Sequence, residues 1–327
     1  MACTKIIGTG SYAPSRVITN QELEQRVDTS DSWIRERTGI QERRMAAPGE
    51  STSDMAVAAA RRALDMAGVS AEELDLIVVG TITADMPMPS CAAFVQAKLG
   101  ARRAFAFDVG AACAGSLYAM SVADQFVRSG QVRRALVIGA EMLTRVVNWE
   151  DRNTCVLFGD GAGAMVLSPS DEDGRGILST HLHTDGEMAE LLTIPGGGSH
   201  TPMTEEAVRQ KLNTLHMNGR EVFRFAVRAL VDSTHEALAT HGLTVAQVDH
   251  VIAHQANARI LDAALERLEI PREKCWLNLH KYGNTSSASL PMSLDEAHRA
   301  GRLQRGDVIA MMAIGSGMTW GSAVVRW

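Results

Sequence analysis

The chain has 327 residues, room for about two domains of ordinary size. With 46% hydrophobic and 21% charged residues it can bury a large core, which excludes a disordered chain. Its net charge of −6, with no block of like charge, excludes nucleic acid as the expected partner.

The opening MACTKIIGTGSYAPS lacks the charged, apolar and small-residue order of a secretory signal. No apolar run reaches the ~18–20 residues of a membrane span, so a cytoplasmic protein with no membrane partner is expected. Cys3, Cys91, Cys113, Cys155 and Cys275 make an odd count without CxxC or ligand spacing. Reduced thiols are expected, with neither a disulfide framework nor a metal site.

In chain order, Ser53–Ala67 (SDMAVAAARRALDMA) is Ala-rich, opens on a Ser-Asp cap and stops before Gly68, which predicts a helix. Leu76–Val79 predicts a buried strand. Residues 108–120, DVGAACAGSLYAM, set Cys113 among small residues in front of a second predicted helix. Close packing accounts for that composition; so does a nucleophile seated at a helix N-terminus, where unpaired N–H groups can lower a thiol pKa. Ala135–Ile138 predicts another buried strand.

FGDGAGA (158–164) satisfies a loose dinucleotide pattern, but MVLS after it resumes a strand where a phosphate cradle needs a helix. A tight turn between strands is expected, which counts against a nucleotide-binding oxidoreductase. The segment 195–219 is Gly-rich at its start and helical in its middle, either a flap over a channel or a surface insertion. Val251–Ala253 predicts a strand that ends on His254, and Asn284 follows Gly283 in HKYGNTSSAS. A buried histidine needs a hydrogen bond or a ligand, and an Asn there can be a helix cap. Side by side, the two offer neutral N–H donors to an oxyanion. Val308–Ile314 predicts a strand running into Gly315-Ser316-Gly317, a turn before a last strand. Helices alternating with buried strands predict an α/β protein with sheets covered on both faces.

The chain also repeats itself. AGVSAEELDLIVVG (67–80) aligns with HGLTVAQVDHVIAH (241–254), Gly68 on Gly242, an offset of 174. SGQVRRALVI (129–138) aligns with AGRLQRGDVI (300–309), Gly130 on Gly301, an offset of 171. Two matches in one order predict duplicated halves. The offset of 174 sets His254 opposite Gly80, and the offset of 171 sets Cys113 opposite Asn284. A pseudo-twofold would then gather Cys113, His254 and Asn284 beyond the strand ends, where open α/β sheets collect their ligands.

KIIGTGSY (5–12), DTSDSWIRERTGI (28–40), AACAG (111–115), LFGDGAGA (157–164), HQAN (254–257), YGNTSSAS (282–289) and TWGSAVVRW (319–327) extend over nearly the whole chain. Together they resemble the β-ketoacyl-acyl carrier protein synthase III family, the initiating condensing enzymes of bacterial fatty-acid synthesis. The resemblance implies a thiolase-like fold of two duplicated α/β halves, 1–172 and 173–327, in a layered α-β-α-β-α arrangement, and a homodimer. It implies Cys113 as nucleophile with His254 and Asn284 as partners, and backbone N–H groups of Cys113 and Ser316 as the oxyanion hole. Trp33 and Arg152 match positions that sandwich the CoA adenine; Arg37 and Asn257 match further CoA contacts. Arg259 and Arg267 match carrier-protein contacts, with Glu266 where Lys is frequent. Met88, Ser116 and Ile314 stand where the acyl pocket commonly has Phe, Met88 reaching across the dimer interface, which implies primers longer than acetyl.

The implied reaction joins an acyl-CoA primer to malonyl-acyl carrier protein with loss of CO2, and it requires no cofactor or metal. A secondary-metabolite condensing enzyme or an acyltransferase on the same fold and the same Cys-His-Asn set is the nearest alternative; a non-catalytic binding module is a further one.

Overall fold

The protein is described here by a computed structural model over residues 3–327. Nine strands form its main sheet: β1 (Thr4–Tyr12), β2 (Leu76–Gly80), β3 (Phe105–Val109), β4 (Ala135–Met142), β5 (Asp160–Pro169), β6 (Gly176–Thr184), β7 (His250–Ala253), β8 (Val308–Gly315) and β9 (Thr319–Arg326). Their order is β7-β8-β9-β6-β1-β5-β4-β2-β3. The halves meet where Thr4 of β1 pairs with Ile177 of β6. Outward from that seam each half repeats one pattern. An antiparallel strand is followed by another antiparallel strand and then by a parallel one. The first half adds β3 as a further parallel strand; the second has only the bridge of Val251 to Cys275 there.

Side-chain alternation along the strands generates the layers. Ile77 and Val79 face α1 (Thr52–Ala67) and α2 (Cys91–Leu99). Leu76 and Val78 face the middle layer, α3 (Gly115–Arg128) and α4, the helix Ser289–Arg299. From the other half, Ile252, Ile309 and Met311 face the same middle layer. Val251, Val308 and Met312 turn the opposite way onto the helices Gly219–Ala239 and Ala258–Arg267. The result is the α-β-α-β-α sandwich of the thiolase-like fold.

Each predicted strand is present and runs one to four residues further: to Gly80, to Met142, from His250 and to Gly315. The helix predicted from Ser53 begins at Thr52, and its cap is Ser51, which exchanges hydrogen bonds with Asp54 in a capping box. Ser53 lies inside the helix, and its amide donates to Asp85 at 2.9 Å. FGDGAGA is not a turn. From Asp160 it is strand β5, and a Cβ on Gly163 would meet the Met292 amide at 2.6 Å, so the glycine lets α4 lie against the sheet. Within 195–219 the helical middle is the turn-and-a-half Glu205–Arg209, and His216–Met217 pairs with Leu192–Thr193.

The mate of Cys113 under the repeat is also corrected. Helical 3-10 turns at Ala112–Ala114 and Ser286–Ala288 each open on a residue of positive φ, Ala112 (44°) and Ser286 (50°), and each runs into a middle-layer helix. The offset there is 174, so Cys113 corresponds to Ser287, and Asn284 lies three residues before that mate. The reason is length: α3 has 14 residues and α4 has 11, so the offset falls to 171 only beyond those helices.

Candidate active site

Cys113 sits in the turn that feeds α3, 7% exposed. The chain end of β8 presses on it. A Cβ at Gly315 would lie 2.6 Å from the Cys113 nitrogen, so only glycine lets the 315–316 backbone approach this amide. Thr319 Oγ1 holds the near side of the turn through the Ala111 carbonyl at 3.0 Å. Burial pushes the thiol up to about 12; the Glu141 charge adds to this, while the Ser286 hydroxyl and the Cys113 backbone work against it. Desolvation thus outweighs the hydrogen bonds that favour the thiolate. Cys91, Cys155 and Cys275 are buried and pushed up as well, in keeping with core residues.

His254 follows β7 and is 3% exposed, its amide tied to the Met312 carbonyl at 2.8 Å. Burial lowers its pKa to about 4, so the ring is neutral at ordinary pH; its Nδ1 is buried without a partner among the described residues. Asn284 is clamped on both sides by the LFGDGAGA segment (157–164). Its N–H donates to the Leu157 carbonyl at 2.8 Å, and its carbonyl accepts from the Gly159 amide at 3.0 Å. Ser286 N–H donates to Asn284 Oδ1 at 2.8 Å, which fixes the amide orientation and turns Nδ2 away from that bond.

Cys113 lines two cavities. A channel of about 590 Å³ contains His254, Asn284 and Ile314 deep inside, with Trp33, Arg37 and Asn257 nearer its mouth. A chamber of about 280 Å³ lies beyond the thiol, walled by Ile82, Leu143, Phe158, Leu192 and Leu215 and touching Ser316. Phe158 and Leu192 border both spaces. The thiol thus separates a long polar-and-apolar channel from a mainly apolar pouch, with two neutral N–H sources on the channel side.

The other sequence-predicted residues fall as follows. The Arg152 guanidinium lies over Trp33 at 4.9 Å and that of Arg37 at 5.9 Å, so a planar base entering between Trp33 and Arg152 must lift the arginine. Asn257 caps the helix Ala258–Arg267 and donates to the Arg37 carbonyl at 3.0 Å. Arg259 and Arg267 are exposed on that helix, Arg259 at the channel and over Phe223. Ser316 donates its hydroxyl to the Leu192 carbonyl. The structure does not bring Met88 or Ser116 to either cavity. Met88 is 83% exposed on the loop after β2, and Ser116 is fully buried.

Three features escaped the sequence reading. Arg220, Arg224 and Arg228, four residues apart on Gly219–Ala239, are exposed, and Arg224 and Arg228 border with Arg267 one groove of about 470 Å³. Their spacing was the available signal. The chamber walls come from segments scattered between residues 82 and 215 and carried none. Glu141, fully buried at the end of β4, is the third.

Known proteins match this architecture. Residues 107–186 match the family described as 3-oxoacyl-[acyl-carrier-protein (ACP)] synthase III, and residues 238–327 match its C-terminal part. The chain is 51% identical over 322 residues to a beta-ketoacyl-[acyl-carrier-protein] synthase III of Caldanaerobacter subterraneus subsp. tengcongensis, covering 98% of this chain and 97% of that one. It superposes with a TM-score of 0.91 on a 3-oxoacyl-[acyl-carrier-protein] synthase III from Aquifex aeolicus, at 47% identity, covering 99% and 100% of the two chains. It superposes equally, at 0.91 and 38% identity, on the priming beta-ketosynthase of the R1128 polyketide pathway, covering 99% and 96%. With identity above half sustained along its whole length, the chain belongs to the 3-oxoacyl-[acyl-carrier-protein] synthase III family.

Proposed function

We propose that the protein condenses an acyl-CoA with malonyl-acyl carrier protein, releasing CO2 and CoA and giving a β-ketoacyl carrier protein, the initiating step of fatty-acid synthesis. The observation that carries this reading is the placement of Cys113 between the channel and the chamber, with His254 and Asn284 on the channel side.

In the first stage the Cys113 sulfur attacks the thioester carbonyl and the acyl group enters the chamber; the thiol proton leaves with CoA. Backbone N–H groups of Cys113 and Ser316 hold the tetrahedral oxyanion. In the second stage malonyl carrier protein enters the vacated channel. Its carboxylate departs as CO2, and the electron pair left behind forms an enolate whose oxygen accepts N–H bonds from His254 and Asn284. Neutral donors suit this step, because a cation would hold the departing carboxylate in place. The enolate carbon attacks the acyl-Cys113 carbonyl, the C–S bond breaks, and the sulfur takes a proton from solvent.

Trp33, Arg37, Arg152 and Asn257 are assigned to CoA, and Arg259 and Arg267, with Arg220, Arg224 and Arg228, to the acidic carrier. Ile314 borders the path of the acyl chain. Met88 and Ser116 would enter only indirectly, Met88 from a second copy and Ser116 from beneath the turn. A homodimer is favoured by Ile82, Met86 and Met88 exposed on one loop and by Phe105 (47% exposed) on the unpaired edge strand β3. Five free cysteines favour a reducing, cytoplasmic setting, and among the described residues no helix is long and apolar enough to cross a membrane. The chemistry calls for no metal or cofactor.

The test is intact-mass analysis after acyl-CoA, followed by malonyl carrier protein. A covalent acyl adduct on the wild type, absent from Cys113→Ala, and CO2 release with a β-ketoacyl product are expected. An adduct that persists in Cys113→Ala overturns the assignment. The likeness to a polyketide priming ketosynthase favours one second reading, the same condensation serving a different carrier. Comparing fatty-acid and polyketide carriers as malonyl donors separates the two.

A further inference from the structure

Glu141 ends β4 with no exposed surface, yet its carboxylate is surrounded by donors. Thr83 Oγ1 donates at 2.6 Å, the Ile82 amide and the Ser286 hydroxyl at 3.2 Å and Thr81 Oγ1 at 3.3 Å, while the Ser287 hydroxyl lies 3.2 Å away with its proton on the nearer Gly80 carbonyl. Burial pushes this carboxyl up to about 7 against those hydrogen bonds. Asp124 and Asp295, comparably buried, each hold an arginine; Glu141 has no ion pair among the described residues.

The fold itself does not ask for an acid at this place. Strands β4 and β8 hold the same place in the two halves: Leu76 pairs with Ala135 and its mate His250 with Ile309, so the counterpart of Glu141 is Gly315. Gly315 backs the Cys113 turn with bare backbone, while Glu141 backs the Ser286–Ala288 turn with a carboxylate. What differs between the two turns is their load. Ser286 fixes Asn284 through its amide at 2.8 Å, and it does so at a φ of 50° that an L-residue adopts only under constraint. The bond from the Ser286 hydroxyl to Glu141 holds that conformation from behind, and the Ser287 hydroxyl anchors the next residue on the Gly80 carbonyl at 2.7 Å.

We propose that Glu141 is a positioning residue for the decarboxylation step, acting through Ser286 to aim the Asn284 amide into the channel. It makes no hydrogen bond to Cys113, and its charge only raises the thiol pKa, so removing it does not weaken the nucleophile of the first stage. The inference rests on the two-stage reaction proposed above.

The test measures the half-reactions separately: acylation of Cys113 by acyl-CoA, and CO2 release from malonyl carrier protein. Glu141→Ala is expected to slow CO2 release about 100-fold and acylation less than 5-fold. Glu141→Gln keeps a carbonyl acceptor at the same place, so it is expected to recover most of the CO2 release. Ser286→Ala cuts the link while leaving Glu141 intact, so it tests the same path if Glu141→Ala does not fold; it too should slow CO2 release, and added to Asn284→Ala it should slow it no further. Added to Asn284→Ala, Glu141→Ala should have no further effect on CO2 release. Equal losses in both half-reactions, additive losses in the double variant, or an unaffected Ser286→Ala overturn the proposal. A wild type that forms no adduct and releases no CO2 overturns instead the reading on which it rests.

Discussion

Ser287 donates its hydroxyl to the Gly80 carbonyl at 2.7 Å, joining the two halves at the point related by the repeat to Cys113 and His254. The duplicated architecture has therefore kept the same meeting of turn and strand end twice, once with the candidate pair Cys113 and His254 and once with a structural hydrogen bond. Removing the Ser287 hydroxyl leaves a buried carbonyl unpaired. Ser287→Ala is expected to cost about 1–3 kcal/mol, read as a lower urea midpoint with an unchanged m-value.

In the proposed reaction His254 and Asn284 serve the enolate of the second stage and not the thiol of the first. His254→Ala and Asn284→Ala are each expected to reduce CO2 release from malonyl carrier protein by about 100- to 1,000-fold. Both variants should still form the acyl adduct by mass spectrometry, and loss of the adduct would place these residues in the first stage instead.

Stability should carry two opposed pH dependences. His254 has its pKa lowered from 6.5 to about 4 on folding, so its contribution is present above 6.5 and is lost as pH falls toward 4. Glu141 is raised from 4.5 to about 7, so its contribution is present below 4.5 and is lost as pH rises toward 7. Each is on the order of 3 kcal/mol across its window. Relative to wild type, Glu141→Gln should gain stability as pH rises from 4.5 to 7, while the deficit of His254→Ala should shrink as pH falls from 6.5 to 4. Urea titrations at four pH values check both signs.

If the arginine stripe docks the acidic carrier, as proposed, the contact is electrostatic and should be sensitive to salt. Arg228→Glu combined with Arg267→Glu, both away from the channel lining, should raise KM for malonyl carrier protein about 10-fold at low ionic strength. The effect should diminish at 0.5 M salt, and KM for acyl-CoA should stay as it was.

Primer length should follow the chamber. Its 280 Å³ equals about nine shares of liquid volume at ~30 Å³ each, more than an acetyl group fills. Butyryl- to octanoyl-CoA are expected to be good primers, and Leu215→Trp should abolish the longer ones while sparing acetyl-CoA. Values of kcat/KM for every longer primer below a hundredth of that for acetyl-CoA would refute this.

Much of the fold was legible because its signals are local. Apolar runs ending in Gly or His marked the strands, and small-residue runs marked the two turns that face each other. The site was legible for the same reason, since Cys113, His254 and Asn284 each stand at an abrupt change from apolar to small or polar sequence. The mate of Cys113 was misplaced because an offset measured beyond a shortened helix was carried back across it. The chamber walls were invisible because tertiary folding alone assembles Ile82, Phe158 and Leu215. Glu141 did leave a trace, a lone acid closing the run ALVIGAEM, which reads as a strand end until its neighbours are known.

Under the proposed two-stage reaction, one thiol at the junction of two cavities makes the channel a doorway that both substrates use in succession. Once its acyl group is delivered, the channel has to empty before the carrier's arm can enter. Excess acyl-CoA keeps the doorway filled and slows the very product it primes. The rate of initiation then follows the ratio of the two donors more than the supply of either, so the geometry throttles chain starting when extender runs short.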